Sequence, residues 1–404
     1  MFRYSCASIV RLSLVVLSLI LAGCGGPSVS VTQSPTATES PSPSPTLEPE
    51  DLASKIDKTL NFLTERESFT GAVLVARNGE VLLSEGYGLA DRDKNLPNTP
   101  QTKYRLGSIT KQFTAMAILM LQAQNKLKGQ DPVCRYIPEC PAIWQDITIH
   151  HLLTHISGIP DFTGFPDYET TKATPSSPLQ TIARFKDRPL DFKPGEKWSY
   201  SNSGYIVLGY IIEQASGQSY ETFLQQNIFE PVQMKNTGYD HNDGSLATGY
   251  TGFYDHWEKA DYLDMTIPYA AGGLYSTIED LYRWDQVLYT EQLMSQELLN
   301  LMFTPQARIP ASGLSYGYGW VVGEMNNHQA VSHGGGMEGF ATAIRGYTDN
   351  SGNGFKGNGD IVGFATEITR YTDDKVTIII LSNRDTTNVE TASDQIAQAV
   401  LGEQ

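Results

Sequence analysis

The sequence predicts an α+β fold: an antiparallel sheet flanked by helices, with a mostly helical lobe inserted into it. Three observations carry this. β-rich runs lie near both ends, at residues 70–87 and again from about residue 316. The stretch between them holds helices and loops with few alternating runs. Amphipathic helices stand at the two extremes, near 51–66 and 388–402. Strands from both ends bury their apolar faces most economically in one shared sheet, with the terminal helices on one of its faces.

The elements follow in chain order. Arg3 and Arg11 accompany the apolar run Leu12–Ala22, which is shorter than the roughly 20 residues a spanning helix needs. It has the form of a secretory signal peptide, expected over residues 1–23. Leu21-Ala22-Gly23-Cys24 resembles a bacterial lipobox, which predicts lipidation of Cys24. Residues 24–50 are rich in Pro, Ser and Thr and have little to bury, so they read as an extended tether. One domain is expected over 51–404, with a sheet lobe at about 51–107 and 270–404 and a helical lobe at about 108–269.

Leu52, Ile56, Leu60 and Leu63 recur at helical spacing. Asn78-Gly79 between two β-rich runs predicts a hairpin of 70–77 and 80–87. From Ser108 to about Gln124, residues Phe113, Met116, Ala117, Met120 and Leu121 form one apolar stripe. A helix over Ser203–Ser216 stops at Gly217, a good C-cap. Another is expected over Glu279–Tyr289. Strands then follow at 316–325, 329–334 and 376–383.

The tail contains a repeat. Gly339–Asp349 (GFATAIRGYTD) recurs as Gly363–Asp373 (GFATEITRYTD). Two copies compete for one strand position. The second is expected to pair with VTIIILSN through a turn at Asp373-Asp374, leaving the first as an edge strand or loop.

Composition excludes several classes. Among 404 residues, 29 Lys and Arg against 45 Asp and Glu give a net charge of −16. No basic footprint for nucleic acid is present. Four cysteines are too few for a disulfide mini-scaffold. Cys6 lies in the signal and Cys24 at the lipobox. Cys134 and Cys140 remain and are expected to pair, given export to an oxidising compartment.

Three short elements carry chemistry. In Ser108-Ile109-Thr110-Lys111, residues three apart share a helix face, so the lysine stands beside the hydroxyl. A serine nucleophile needs such a base or cation. Tyr200-Ser201-Asn202 offers a tyrosine that can act as a general base if cations lower its pKa. His333-Gly334-Gly335-Gly336 closes a strand, where glycines allow close backbone approach and an N–H can complete an oxyanion hole. Two other patterns read as structural. Gly313-Leu-Ser315-Tyr-Gly317 matches a nucleophile elbow but is followed by a β-like run instead of a helix. His150, His151 and His155 lack the Glu of a zinc-binding H-E-x-x-H. No metal or cofactor is expected.

Together, Ser-x-x-Lys, Tyr-x-Asn and His-x-Gly in this order resemble the serine β-lactamase and penicillin-binding protein superfamily. The resemblance is to the branch of class C β-lactamases, D-alanyl-D-alanine carboxypeptidases and related esterases. It spans roughly residues 51–400, including ITIHHLLTHISGIPD, PGEKWSYSNSGYIVLGYIIEQASG, AAGGLYSTIEDLYRWDQ and SHGGGMEGF. It implies a β-lactamase/transpeptidase-like fold with Ser108 as the acylated nucleophile. Lys111 would hold the proton network and keep the Tyr200 pKa low, and Tyr200 would act as general base. Asn202 would orient Lys111 and the substrate. The N–H groups of Ser108 and Gly336 would form the oxyanion hole, and His333, Gly334 and Gly335 would line the substrate site.

The third element departs from the Lys-Thr-Gly usual in such lactamases. A histidine replaces a permanent cation and a hydroxyl is lost, so β-lactamase activity is expected to be weak at best. The expected activity is exported, lipid-anchored acyl transfer from a D-amino-acid peptide or small ester, by a monomer facing the periplasm or the exterior. The alternative is a non-catalytic penicillin-recognising sensor or scaffold. A titrating His333 would make activity change between pH 5.5 and 7.5.

Overall fold

The computed structural model describes residues 49–66, 69–252, 255–336 and 363–402. Helix α1 (Pro49–Glu65) leads into the hairpin of β1 (Gly71–Arg77) and β2 (Glu80–Tyr87). Its turn has φ of 54° at Asn78 and 81° at Gly79, the pair of positive values that a type I′ hairpin requires. Helices α2 (Thr110–Ala123), α3 (Asn202–Ser216) and α4 (Ile278–Val287) follow, α3 ending at Gly217 with φ 75°. The remaining strands are β3 (Ala307–Arg308), β4 (Ser315–Tyr316), β5 (Val321–Met325), β6 (His328–Gly335), β7 (Ala365–Tyr371) and β8 (Val376–Ser382). Helix α5 (Val389–Leu401) ends the chain as described.

These strands make one antiparallel sheet in the order β3-β4-β5-β6-β7-β8-β1-β2. The two ends of the chain meet where β8 pairs with β1, Val73 opposite Ile380. Alternation of period two then sorts the side chains. Val73, Val75, Ile378 and Ile380 face Leu52, Ile56 and Leu60 of α1 and Val389 and Ile396 of α5. Ala72, Leu74, Ile379 and Leu381 face the opposite way and join the core of α2 and α4, with Phe113, Met116, Leu281 and Trp284. Burial on both faces is why VTIIIL is a continuous apolar run and not an alternating one.

The second repeat copy occupies β7 and pairs with β8, as expected, with Tyr371 opposite Val376. The first copy, 339–349, lies outside the described residues. A buried ion pair distinguishes the copies: Arg370 reaches Asp285 of α4 and packs its guanidinium over Tyr289 and Phe303. The first copy has Gly346 at the matching position, which would leave Asp285 as an uncompensated buried charge.

Ser315 of the elbow-like pattern sits in a strand, opposite Val322, which excludes a strand–helix elbow. Cys134 and Cys140 form a disulfide with Cα atoms 5.2 Å apart.

Candidate active site

Ser108 lies on the 3-10 turn Gly107–Ile109 that runs into α2. The turn abuts the end of β6. Gly107 has φ 54°, and a Cβ there would come within 2.9 Å of the Gly336 nitrogen and 3.1 Å of the Gly335 Cα. A Cβ at Gly335 would overlap the Leu106 carbonyl oxygen, and one at Gly336 the Phe364 carbonyl oxygen. Glycine at these positions therefore lets the strand end lie against the serine turn. The Gly336 nitrogen thus lies against the turn that carries Ser108. The Thr366 hydroxyl of β7 clamps both backbones, 2.9 Å from Leu106 O and 3.1 Å from Gly335 O. Nothing in its local sequence marks this threonine; only strand pairing brings it here.

Lys111 is fully buried, one turn along α2 from the serine. Its Nζ donates to Ser108 Oγ, Asn202 Oδ1 and Ala271 O, each at 2.8 Å. Burial lowers its pKa to about 7, against the opposing pull of the Asp161 carboxylate. Asn202 opens α3, and its Nδ2 donates to Asp161 Oδ2 at 3.1 Å. Asp161 also accepts from the Thr163 hydroxyl and N–H.

Tyr200 donates its hydroxyl to Ser108 Oγ at 2.7 Å. The expectation that Lys111 keeps the Tyr200 pKa low is corrected here. Burial pushes the phenol well above its usual value, and the Lys111 amine lies over the ring, 4.8 Å from its centroid. Desolvation favours the neutral form of both groups.

His333 also departs from expectation. Its imidazole is fully buried, with Nδ1 2.7 Å from Gly334 O and Nε2 2.8 Å from the Tyr316 hydroxyl. The carbonyl can only accept, so Nδ1 carries the proton and Nε2 accepts from Tyr316. Burial, and then the Lys111 charge, lower its pKa to about 3. The side chain therefore stays neutral between pH 5.5 and 7.5 and supports the end of β6 instead of touching a substrate.

The three histidines of HHLLTH do not converge. His150 pairs with the Tyr318 hydroxyl at 2.9 Å, and His151 caps its own helix at Thr148. His155 is buried with φ 60°, and its ring lies 4.3 Å from that of Tyr200 and 4.6 Å from that of Tyr316. It forms a platform behind the tyrosine. Its sequence, HISGIPD, also brings Asp161, but single-residue chemistry gave no reason to pick either. Among the described residues no His, Cys, Asp and Glu cluster could hold a metal ion.

The chain resembles known proteins over most of its length. The model of a family described as beta-lactamase matches residues 56–403. The chain belongs to the beta-lactamase family. It is 31% identical over 306 residues to a penicillin-binding protein of Bacillus subtilis (strain 168), covering 71% of this chain and 67% of that one. An octameric penicillin-binding protein homologue from Pyrococcus abyssi superposes with a TM-score of 0.71 at 27% identity, over 88% of this chain and 77% of that one. A D-stereospecific amidohydrolase from Streptomyces has the same fold, with a TM-score of 0.69 at 22% identity, over 87% and 99%. Membership makes this beta-lactamase-family chain a serine hydrolase of the acyl-enzyme type in broad terms.

Proposed function

We propose that the protein is an exported serine hydrolase that opens an amide or ester through an acyl-Ser108 intermediate. One observation carries the reading: Ser108 Oγ sits between the Lys111 amine and the Tyr200 hydroxyl, on a turn whose Gly107 packs against Gly336. Neutral Lys111 takes the hydroxyl proton as Oγ attacks the carbonyl carbon. The N–H groups of Ser108 and Gly336 hold the developing oxyanion. The proton passes to the leaving amine or alkoxide through the Tyr200 hydroxyl. Water then attacks the acyl ester, and Ser108 is released.

The substrate is a D-amino-acid peptide or a small ester, with β-lactam turnover weak at best. A neutral, buried His333 offers no cation for a substrate carboxylate, which supports that choice. The likeness to an amidohydrolase with D-stereospecificity agrees with it. The signal over 1–23 and the lipobox cysteine support tethering through Cys24 to the cell envelope by residues 24–50.

Intact-mass measurement after exposure to penicillins, D-alanyl peptides and p-nitrophenyl esters tests the chemistry. An adduct on Ser108 that disappears on turnover, and is absent in Ser108→Ala, is expected. Label without turnover would instead favour a penicillin-recognising module. For the anchor, Cys24→Ser should release the protein from the membrane fraction; retention would refute it.

A further inference from the structure

Asp161 belongs to no motif that assigns it a role, yet it stands at the end of a buried chain that begins at the nucleophile. Ser108 Oγ bonds Lys111 Nζ, which bonds Asn202 Oδ1, while Asn202 Nδ2 bonds Asp161 Oδ2. An amide side chain has one acceptor end and one donor end. Fixing Nδ2 on the carboxylate therefore turns Oδ1 toward the lysine. We infer that Asp161 is a positioning residue of the active site: it orients Asn202 and, by its charge, sets how readily Lys111 gives up its proton. The inference rests on the acyl-enzyme reading only for its kinetic arm.

The surroundings of Lys111 support this. The rings of Tyr200 and Tyr205 lie 4.8 and 5.4 Å from Nζ, and both phenols are pushed up by burial and uncharged. His155 and His333 are pushed down by burial and are neutral as well. The third Nζ contact is the Ala271 carbonyl, a dipole without net charge. Asp161 is the carboxylate whose charge acts on this amine, against the desolvation that favours its neutral form. Its own pKa is raised by burial and held back by Thr163, Lys111 and Asn202. With the carboxylate in place, part of Lys111 is still protonated near neutral pH. Without it, the balance would move toward the neutral amine, and its hydrogen bonds to Asn202 and Ala271 would lose a charge.

Asp161 also caps the short turn Phe162–Gly164 through Thr163. A purely structural role must be separated from the electrostatic one. Asp161→Asn keeps shape and acceptor but removes the charge, whereas Thr163→Val loosens the cap and keeps the charge. The experiment measures kcat/KM for an ester against pH, together with the Lys111 13Cε chemical shift titration in the absence of substrate. Asp161→Asn should move the acid limb and the Lys111 midpoint to lower pH, by on the order of one unit for one charge removed at this range. Thr163→Val removes one hydrogen bond to Asp161 but keeps its charge, so it should move both by less than Asp161→Asn does. An unmoved Lys111 midpoint in folded Asp161→Asn, or an equal shift in Thr163→Val, overturns the inference. The chemical shift reads Lys111 directly, so an absent acyl adduct in wild type would sink the hydrolase reading without touching this one.

Discussion

Gly107→Ala adds one methyl group beside the nucleophile. The residue has φ 54°, and the new carbon would lie 2.9 Å from the Gly336 nitrogen and 3.1 and 3.2 Å from Gly335 Cα and C. All three neighbours are backbone atoms, so relief requires the end of β6 to retreat from Ser108. A left-handed alanine costs about 1–2 kcal/mol, and overpacking a tight contact adds roughly 1–3 kcal/mol. The loss of stability should thus be about 2–5 kcal/mol. The catalytic loss should be larger in proportion. Displacing an oxyanion donor costs on the order of 100-fold or more in rate, and misplacement by 1 Å costs about as much. Gly217→Ala is the control, since Gly217 also has a positive φ of 75° but nothing within 4 Å of its Cβ. It should lose about 1 kcal/mol and keep its activity. Ester kcat/KM, acyl-adduct yield and thermal unfolding would be measured on both. If Gly107→Ala keeps kcat/KM within about threefold of Gly217→Ala, the close approach of β6 to Ser108 does not support the oxyanion hole, and the reasoning fails.

Three further outcomes follow from the same geometry. Lys111 has a pKa of about 7 in the fold against an ordinary 10.5, so between those values the unfolded chain binds more protons and stability rises with pH; Lys111→Met should therefore abolish adduct formation yet raise the melting temperature at pH 7, and a lower one would contradict the desolvation argument. His333, pushed to about 3 by burial, should show a flat imidazole NMR shift from pH 5 to 8, and a midpoint in that window would restore it as a pH sensor. Deleting residues 339–362 joins Glu338 to Gly363, while the register of Gly335 opposite Thr366 keeps the β6–β7 pair intact, so the shortened chain should fold and still acylate; loss of the adduct would show that the duplicated segment is required.

The hairpin at Asn78-Gly79 was readable because its turn chemistry is local, and the α3 stop at Gly217 for the same reason. The pairing of β7 with β8 was readable because only a short turn separates them. The sheet order was less accessible, since β1 meets β8 across some three hundred positions and no local signal names that partner. Ser108 and Lys111 share one helical turn, so their proximity follows from spacing. Tyr200 joined them through family likeness, and its hydroxyl bond to Ser108 depends on how α3 packs against α2.

The sequence by itself determined which residues can do chemistry, since nucleophile, amine, phenol and glycines are fixed by covalent identity and short-range periodicity. Only the tertiary structure decided their protonation. Desolvation depends on what packs around a group from distant parts of the chain, and it lowers the Lys111 pKa, keeps Tyr200 a phenol and keeps His333 uncharged. The same packing brought in Asp161, Thr366 and His155, whose roles come from where their polar atoms or rings end up and not from what precedes or follows them in the chain.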